Sequence, residues 1–424
     1  MPTVPVTSLG ECQVLSPILA RHLADDVRVP DQIHWRGGRP PEDPDLFEQA
    51  GPRSRLFFEP ERTRAAIVTC GGLCPGLNNV IRSLVLQLYH GYGVREVLGF
   101  RDGYRGLDPR SGVEPLPLTL ERVHDIHKQG GTILGTSRGP VNVTAAVDEL
   151  LRRGVNVLFT IGGDGTQRGG HALFEEARRR GHALSVVGVP KTIDNDVPFV
   201  TRSFGYLTAL EQACLVLDRA HTEARSVHNG IALVRLMGRS AGFIAGGATM
   251  ASQDVNFCLI PEVPFALDGS GGFLSALRRR VVERSHAVVV VAEGAGQELI
   301  AGSEGARDAS GNPRLKDVGV FLRERIEAYF RSERLPVVMR YFDPGYLIRS
   351  CPANAEDAVL CDLFARHAVH AAMAGKTGLV IGLLHDRYVH VPIELLNSRR
   401  KRIDPDDQSW QAVLACTGQP ARFE

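Results

Sequence analysis

One glycine-rich run places a carboxylate where it could handle a phosphate. Residues 162–166 read Gly-Gly-Asp-Gly-Thr and follow a short apolar stretch. The glycines would expose backbone N–H groups to phosphate oxygens, and Asp164 could hold a Mg²⁺ ion bound to the same oxygens. The alternative is a solvent-facing turn in which the aspartate caps a helix. A second glycine loop in the same chain favours phosphate binding.

That second loop, residues 71–76, reads Gly-Gly-Leu-Cys-Pro-Gly between an apolar run and a periodic segment. Small residues let backbone N–H groups approach a phosphate, and a helix N-terminus favours negative charge. It is not a Walker loop, because no Gly-Lys-Ser/Thr closes it. Taken alone, the loop fits a tight strand-to-helix turn equally well.

A pair of carboxylates, Asp194 and Asp196, lies in the sequence Thr-Ile-Asp-Asn-Asp after another apolar run. One of them could take a proton while the other orients a metal-bound water or a neighbouring group. The spacing Asp-x-Asp is also common in turns, so the motif in isolation is more often structural.

Several arginines stand beside glycines or at the ends of predicted strands. Arg138 follows a glycine-rich stretch, Arg239 follows Met-Gly, and Arg340 and Arg349 flank Tyr346. Each could be a surface arginine, but a guanidinium at a strand end also suits bidentate phosphate contact. Phosphoryl transfer needs phosphate loops, a cation clamp and a base for the attacking hydroxyl, and this chain has residues for each.

The elements that must position these residues alternate along the chain. Apolar runs at 65–70, 155–161, 184–190, 231–236, 257–261, 287–292, 335–340 and 378–384 predict strands. Periodic segments at 77–89, 205–225, 238–252, 272–284, 318–330 and 354–374 predict helices. This alternation predicts an α/β protein with mainly parallel sheets covered by helices, and two sheets fit a chain of 424 residues. The first sixty or so residues lack periodicity, and we expect an extension wrapped on the surface.

Composition excludes several classes of partner. Lys+Arg is 49 and Asp+Glu is 48, a balance that argues against nucleic acid as a partner. No window of about 18 apolar residues exists, which predicts no membrane span. The first 26 residues do not read as a secretory signal, and the eight cysteines show no zinc spacing. We therefore expect reduced thiols and a cytoplasmic location.

Taken in order, the motifs resemble those of the 6-phosphofructokinase family, and within it the plant-type, long-chain, ATP-dependent branch. The matching strings are GGLCPGLNNVIR (71–82), GGTILGTSRGP (130–140), IGGDGTQRGG (161–170), PKTIDNDV (190–197), LMGRSAGFIA (236–245), LIPE (259–262), VVAEGAGQ (290–297) and YFDPGYLIRS (341–350). The resemblance runs from about Arg64 to the end of the chain.

The resemblance implies two Rossmann-like domains and an N-terminal extension over residues 1–62. The nucleotide-binding domain would span 63–204, completed by about 352–395. The fructose 6-phosphate-binding domain would span 205–351, completed by 396–424. The implied enzyme is an allosteric, cytoplasmic, oligomeric kinase that phosphorylates the C1 hydroxyl of fructose 6-phosphate with ATP and Mg²⁺, the committing step of glycolysis.

The resemblance also implies roles for individual residues. Asp194 would be the general base, Asp164 would hold Mg²⁺, and Arg138 and Arg239 would neutralise the transferring phosphoryl group. The nucleotide site would comprise Gly72, Arg138, Gly139, Gly163, Asp164, Gly165 and Thr166. The sugar-phosphate site would comprise Thr192, Ile193, Asp194, Met237, Gly238, Arg239, Glu262, Arg340, Tyr346, Leu347, Ile348 and Arg349. Glu262 would accept sugar hydroxyls, and Arg340, reaching the 6-phosphate of a neighbouring subunit, would make the enzyme at least a dimer.

Three positions depart from the short bacterial pattern. Gly230 stands where that pattern has a phosphate-binding arginine, and Tyr346 stands where it has a histidine. Lys191 replaces a glycine and resembles the pyrophosphate-using branch, although plant-type ATP enzymes share it. Gly165 favours ATP, because the aspartate of the pyrophosphate branch would repel the α-phosphate of a nucleotide.

The alternatives are a pyrophosphate-dependent phosphofructokinase and a non-catalytic homologue that senses sugar phosphates. The second would be marked by loss of Asp164 or Asp194, and both are present. A diacylglycerol- or NAD-kinase-like enzyme shares only the GGDGT string.

Overall fold

The computed structural model describes residues 3–424 apart from 36, 38, 40, 42, 303–313 and 399. In chain order the strands are β1 Thr7–Ser8, β2 Val14–Leu15, β3 Arg28–Pro30, β4 Leu46–Glu48, β5 Arg55–Leu56, β6 Arg64–Thr69, β7 Glu96–Phe100, β8 Leu116–Pro117, β9 Val157–Gly162, β10 Ser185–Pro190, β11 Gly230–Leu236, β12 Phe257–Leu259, β13 His286–Ala292, β14 Val338–Phe342, β15 Lys376–Thr377, β16 Leu379–Leu384 and β17 Arg387–Pro392. The α-helices are α1 Leu77–Leu86, α2 Val143–Arg152, α3 Asp164–Arg179, α4 Tyr206–Arg225, α5 Phe243–Ser252, α6 Phe273–Arg284, α7 Val318–Ser332, α8 Ala355–Met373 and α9 Gln408–Thr417.

A seven-stranded sheet forms the larger unit, with strand order β17-β16-β10-β9-β6-β7-β8. The five central strands are parallel, and β17 and β8 add antiparallel edges. Strands β9, β10 and β16 are buried at every residue. Such continuous burial is typical of parallel strands covered by helices on both faces.

A four-stranded parallel sheet forms the second unit, with strand order β12-β13-β11-β14. Helices α4 and α5 pack against it, and α9 packs against α5. The predicted α/β class with two mainly parallel sheets is confirmed. The residue bounds of the two domains stay a prediction.

The N-terminal extension does more than wrap the surface. Strand β1 pairs with β15, and β4 packs against β17, so the extension meets the C-terminal part of the large sheet. Phe47 and Leu56 are fully buried, and the charged pair Glu48 and Arg53 is buried with them. They lie in the short apolar clusters Leu46-Phe47 and Leu56-Phe57-Phe58, between prolines and charged residues, so no helix or strand periodicity marks them.

None of the helices in the described residues is both long and apolar enough to cross a membrane.

Candidate active site

A cavity of about 940 Å³ lies where the strand ends of the two sheets face each other. Its walls follow the carboxyl ends of β6, β9, β10, β11 and β13, which is where ligands bind in open parallel sheets. The predicted residues that line it are Gly72, Arg138, Gly139, Gly163, Asp164, Gly165, Thr166, Lys191, Asp194, Met237 and Arg239. Both glycine loops and the carboxylate pair therefore meet at one place.

Gly72 has three cations around it. A Cβ on Gly72 would lie 3.2 Å from the Arg349 guanidinium and 3.4 Å from that of Arg138, so both arginines pack closely against this glycine. Lys191 donates from Nζ to the Gly72 carbonyl, and burial lowers the pKa of this lysine. The loop thus offers positive charge around backbone that a phosphate could approach.

Asp194 is the buried acid of the site. Burial raises its pKa, and the neighbouring carboxylates of Asp196 and Glu293 raise it further, while the backbone N–H of Arg239 and the charge of Lys191 lower it less. Its Oδ1 accepts no hydrogen bond from the part of the chain that the structure describes. A buried carboxylate that has a raised pKa and an oxygen available to accept a hydrogen bond has the properties of a general base.

The turn that carries Asp194 is fixed by its own side chains. The Asp194 N–H donates to Thr192 Oγ1 at 3.0 Å, and Thr192 Oγ1 donates to Asp196 Oδ1 at 3.1 Å. Asn195 has a φ of 54°, and its Oδ1 accepts from the Ser203 N–H at 3.0 Å. These contacts place Thr192 and the buried Ile193 behind the cavity and turn the aspartate towards it.

Asp164 is the first residue of α3, and the helix has no side-chain cap at Gly163. Burial raises the pKa of Asp164, and Arg168 and Arg400 oppose that shift. Asp196 also has a pKa raised by burial and then by Asp164. Two buried carboxylates whose negative charge the protein offsets only in part fit a divalent cation.

The described residues contain no group of three or more His, Cys, Asp or Glu side chains that could hold a metal by themselves. Mg²⁺ typically binds through one or two carboxylates together with substrate phosphates and waters. Asp164, with Asp196 beside it, fits that mode of binding.

Glu262 is not brought to this cavity. Its Oε1 accepts from the Ile403 N–H at 2.9 Å and from the Gly242 N–H at 3.0 Å, so the carboxylate is occupied by backbone donors. Glu293, at the end of β13, lines the cavity instead, and burial raises its pKa against the nearby Arg235, Arg239 and Arg349. Both acids follow a strand in the sequence, and only the structure shows which one faces the site.

The remaining predicted sugar-phosphate residues lie at or beyond the rim. Tyr346 and Leu347 are 78% and 71% exposed, and Ile348 is buried beneath them. The Arg349 guanidinium lies 4.8 Å from the centre of the Tyr346 ring. Arg340, on β14, contacts Glu223 at 3.4 Å outside the cavity.

Two glycines of the sugar-phosphate side are tightly enclosed. A Cβ on Gly230 would come within 2.0 Å of the Ala224 carbonyl oxygen, so the arginine of the short bacterial pattern could not stand there without a backbone shift. Gly238 has a φ of +134°, and its carbonyl accepts from the Gly294 N–H at 3.1 Å.

The structure also reveals cavity residues that the sequence did not single out. Arg168 comes from α3, and Arg400 and Lys401 come from the segment after β17. Nothing in their local sequence marks them, because the contact depends on how the C-terminal segment crosses the molecule.

Comparison with known proteins agrees with this site. Residues 64–372 match the family model described as "Phosphofructokinase". The chain belongs to the phosphofructokinase family. The resemblance drawn from the sequence motifs is therefore confirmed.

Curated phosphofructokinases match most of this chain. The ATP-dependent 6-phosphofructokinase of Borreliella burgdorferi is 44% identical over 430 residues, covering 98% of this chain and 96% of that protein. ATP-dependent 6-phosphofructokinase 1 of Arabidopsis thaliana is 48% identical over 379 residues, covering 88% of this chain and 79% of that protein. The plant relatives agree with the branch that the motifs predicted.

A solved phosphofructokinase structure shows the same fold. The pyrophosphate-dependent phosphofructokinase from Marinobacter aquaeolei has a TM-score of 0.69 and 20% identity, and the match covers 83% of this chain and 91% of that one. At this identity the likeness concerns the fold alone.

Proposed function

We propose that the protein is an ATP-dependent 6-phosphofructokinase that converts fructose 6-phosphate to fructose 1,6-bisphosphate, the committing step of glycolysis. The observation that carries this proposal is the carboxylate of Asp194. It is buried, its Oδ1 accepts no hydrogen bond from the described residues, and it lines a cavity that also carries cations from both sheets. The curated relatives, whose names specify the ATP-dependent enzyme, support the same choice of donor.

Asp194 takes the proton of the C1 hydroxyl as the hydroxyl oxygen attacks the γ-phosphorus of ATP. The new O–P bond forms while the bond from phosphorus to the β–γ bridging oxygen breaks, and ADP leaves. The raised pKa of Asp194 suits this task, because a base close to the working pH accepts a proton more readily than an ordinary carboxylate.

Cations from opposite walls clamp the transferring group. Arg138 and Lys191 lie on the glycine-loop side, and Arg239 follows β11 on the other side. Their charges would offset the negative charge on the phosphoryl oxygens in the transition state. Mg²⁺ held by Asp164 would add Lewis-acid charge stabilisation to the same oxygens.

Glu293 takes the place that the sequence assigned to Glu262 as an acceptor for sugar hydroxyls. It lines the cavity beside Arg239 and Asp194, whereas Glu262 is held by backbone donors. Arg349 would contact the 6-phosphate from the rim, with Tyr346, Leu347 and Ile348 in the adjoining loop.

Gly165 supports ATP as the donor. A Cβ at this position would meet only an Arg168 nitrogen within 4 Å, at 3.8 Å, so the space beside Asp164 is open to an α-phosphate. Lys191 could hold the terminal phosphate of either donor, because only one of its three N–H donors is used on the Gly72 carbonyl, so the choice of ATP rests on Gly165.

The enzyme would work as a dimer or larger oligomer in the cytoplasm. Arg340 lies outside the cavity of its own chain, as a residue that serves a neighbouring subunit would. Sedimentation at assay concentration tests this point, and a fully active monomer would contradict it.

The decisive experiment measures fructose 1,6-bisphosphate formation with ATP or with pyrophosphate as donor, each with and without Mg²⁺. We expect turnover that requires Mg²⁺ and prefers ATP. No product with either donor would overturn the proposed activity, whereas preference for pyrophosphate would overturn only the assignment of the donor.

A further inference from the structure

The segment after β17 is attached at one end to the four-stranded sheet. The Ile403 N–H donates to Glu262 Oε1 at 2.9 Å, and the same carboxylate accepts from the Gly242 N–H at the start of α5. The Ile403 side chain is 8% exposed, and its Cδ1 lies 3.5 Å from where Gly246 would carry a Cβ. Residue 403 is therefore fixed to α5 and to the end of β12.

Two residues earlier, the same segment reaches the seven-stranded sheet. Lys401 donates from Nζ to the carbonyl oxygens of Val200 and Thr201, each at 2.8 Å. Val200 forms a β-bridge with Leu383 of β16, and the Thr201 N–H donates to the Leu383 carbonyl at 2.8 Å. Lys401 therefore binds a backbone segment that is itself paired with strand β16 of the large sheet.

The backbone that Lys401 holds continues directly from the turn carrying Asp194 and Asp196. Lys401 also lines the cavity, and its charge favours the ionised form of Asp196. Burial lowers the pKa of Lys401 to about 8, which Asp196 partly opposes. Burying a charged ammonium costs free energy, because the group loses its contacts with water. A lysine that served only solubility would stay exposed, so this burial indicates a structural or functional role for Lys401.

We propose that Lys401 is a positioning residue of the active site, and that residues 401–403 tie the loop carrying Asp194 to the sheet carrying Arg239. The two sheets meet in the cavity, which Asp194, Arg239 and Lys401 all line, and the backbone N–H of Arg239 lowers the pKa of Asp194. The tie fixes the distance between the base on one sheet and the cation clamp on the other. This inference rests on the proposed function, which gives Asp194 and Arg239 those roles.

Lys401→Met keeps an unbranched aliphatic side chain and removes both hydrogen bonds, together with the ammonium that lies 5.1 Å from the centre of the Phe243 ring. We expect kcat to fall by about 10- to 100-fold, as a small misplacement of catalytic groups can produce. KM for both substrates should change far less, because the lysine is assigned no contact with either one. Lys401→Arg, which keeps the charge and can reach one carbonyl, should recover part of kcat.

The matched control is Arg402→Met, which removes a cation one residue away that is exposed and does not line the cavity. We expect it to retain wild-type kcat. An unchanged kcat in Lys401→Met, or an equal loss in Arg402→Met, would overturn the proposal.

A double-mutant cycle tests whether the two contacts belong to one tie. Glu262→Met removes the acceptor oxygens of both N–H groups, whereas the Oε1 of a glutamine could still accept from both. If residues 401–403 act as a unit, breaking either end releases it, and the double variant should be no slower than the slower single variant. If Glu262 acts on sugar and Lys401 acts separately, the two losses will multiply, and the tie is refuted.

A readout without turnover separates this inference from the proposed function. The amides of Thr201 and Ser203 donate to Leu383 and Asn195, so a loosened loop should exchange their hydrogens faster in Lys401→Met than in Arg402→Met. Equal exchange in the two variants would reject the tie even in an active enzyme.

If the wild-type protein forms no fructose 1,6-bisphosphate, the proposed function is wrong, and the exchange measurement still tests the tie. If Lys401→Met does not fold, Lys401→Arg and Glu262→Met carry the same comparison.

Discussion

Two buried acids in this molecule are surrounded in opposite ways. Glu48, in the N-terminal extension, lies 2.8 Å from Arg53, 3.0 Å from His390 Nδ1 and 3.3 Å from Lys376. Burial alone would raise the pKa of Glu48, but the hydrogen bond from His390 and the charges of Lys376 and Arg53 lower it to about 2. Burial also lowers the pKa of His390, so we take its ring as a neutral donor.

Asp194 shows the opposite balance. It is buried beside Asp196 and Glu293, and its pKa is raised rather than lowered. A buried charge that is fully paired contributes to one fixed structure, whereas a buried charge that is underpaired is ready to accept a proton. The paired acid of the extension thus fits a structural role, and the underpaired acid of the cavity fits the proton transfer proposed above.

Asp194→Asn should show the largest functional effect. The change keeps the volume and removes the proton acceptor, so we expect kcat to fall by about 10²–10⁴-fold. Because the raised pKa means that the charge is unfavourable in the folded state, the midpoint of thermal unfolding at neutral pH should stay the same or rise. A kcat within about threefold of wild type would remove Asp194 as the base.

Glu48→Gln should affect stability rather than rate. We expect a large fall in the free energy of unfolding and little change in kcat per folded molecule. Removing one member of a buried ion pair costs about 3–5 kcal/mol, since Arg53 and Lys376 keep their charges. Urea unfolding measures the effect. The control is Asp25→Asn, which contacts the same two cations from a side chain that is 64% exposed and should cost about 1 kcal/mol or less. Equal losses in the two variants would contradict the comparison.

The Glu48 contribution should also depend on pH. Its pKa is lowered in the folded state, so the stabilisation is present above the ordinary glutamate range and is lost as the pH falls towards about 2. The difference between wild type and Glu48→Gln should therefore shrink over that interval.

Gly165→Asp adds an acid directly after Asp164, in the space that the α-phosphate of ATP would approach. The side chain has room, but two like charges about 4 Å apart cost on the order of 4 kcal/mol at an effective dielectric near 20. We expect kcat/KM for ATP to fall about 1000-fold and kcat/KM for pyrophosphate to fall less. Gly165→Asn is the matched neutral control, and an equal loss of ATP use there would assign the effect to bulk.

Asp196→Asn should have the smallest effect on rate but should move its pH dependence. The acid limb of kcat/KM reports protonation of the free base, and the raised pKa of Asp194 places it above the ordinary aspartate range. Removing the neighbouring negative charge lowers that pKa, so the limb should move to lower pH by about one pH unit. A limb that stays in place would show that Asp196 does not act on Asp194.

The sequence predicted those parts of the site that follow from strand ends. Asp164 and Asp194 each follow a buried apolar run, and parallel strands bring such positions to one edge of a sheet. Glu262 and Glu293 carry the same local signal, so the sequence could not separate the acid that faces the cavity from the one held by backbone. Lys401 carried no signal, because its role depends on tertiary contact alone.

The sequence predicted the helices and strands that have strong hydrophobic periodicity. It missed strands at the edges of the sheets. Strand β17 returns beside β16 through a tight turn in which His385 and Asp386 have φ values of 49° and 59°. Hairpin turns with two positive φ values usually use Asn-Gly or Asp-Gly, and the dipeptide here gave no such signal. Glu48 was missed for a related reason, since its partners lie in β15 and β17.

The order of strands in the large sheet has a consequence for synthesis of the protein. Strand β10 pairs on one side with β9, and its other neighbour, β16, begins only at Leu379. A growing chain therefore presents the open edge of a strand that is fully buried in the finished fold until the intervening residues have been made. At about 5–20 residues per second this takes roughly ten to forty seconds. An unpaired edge of this kind is a template for association between chains, so the nascent protein is open to such pairing over that interval.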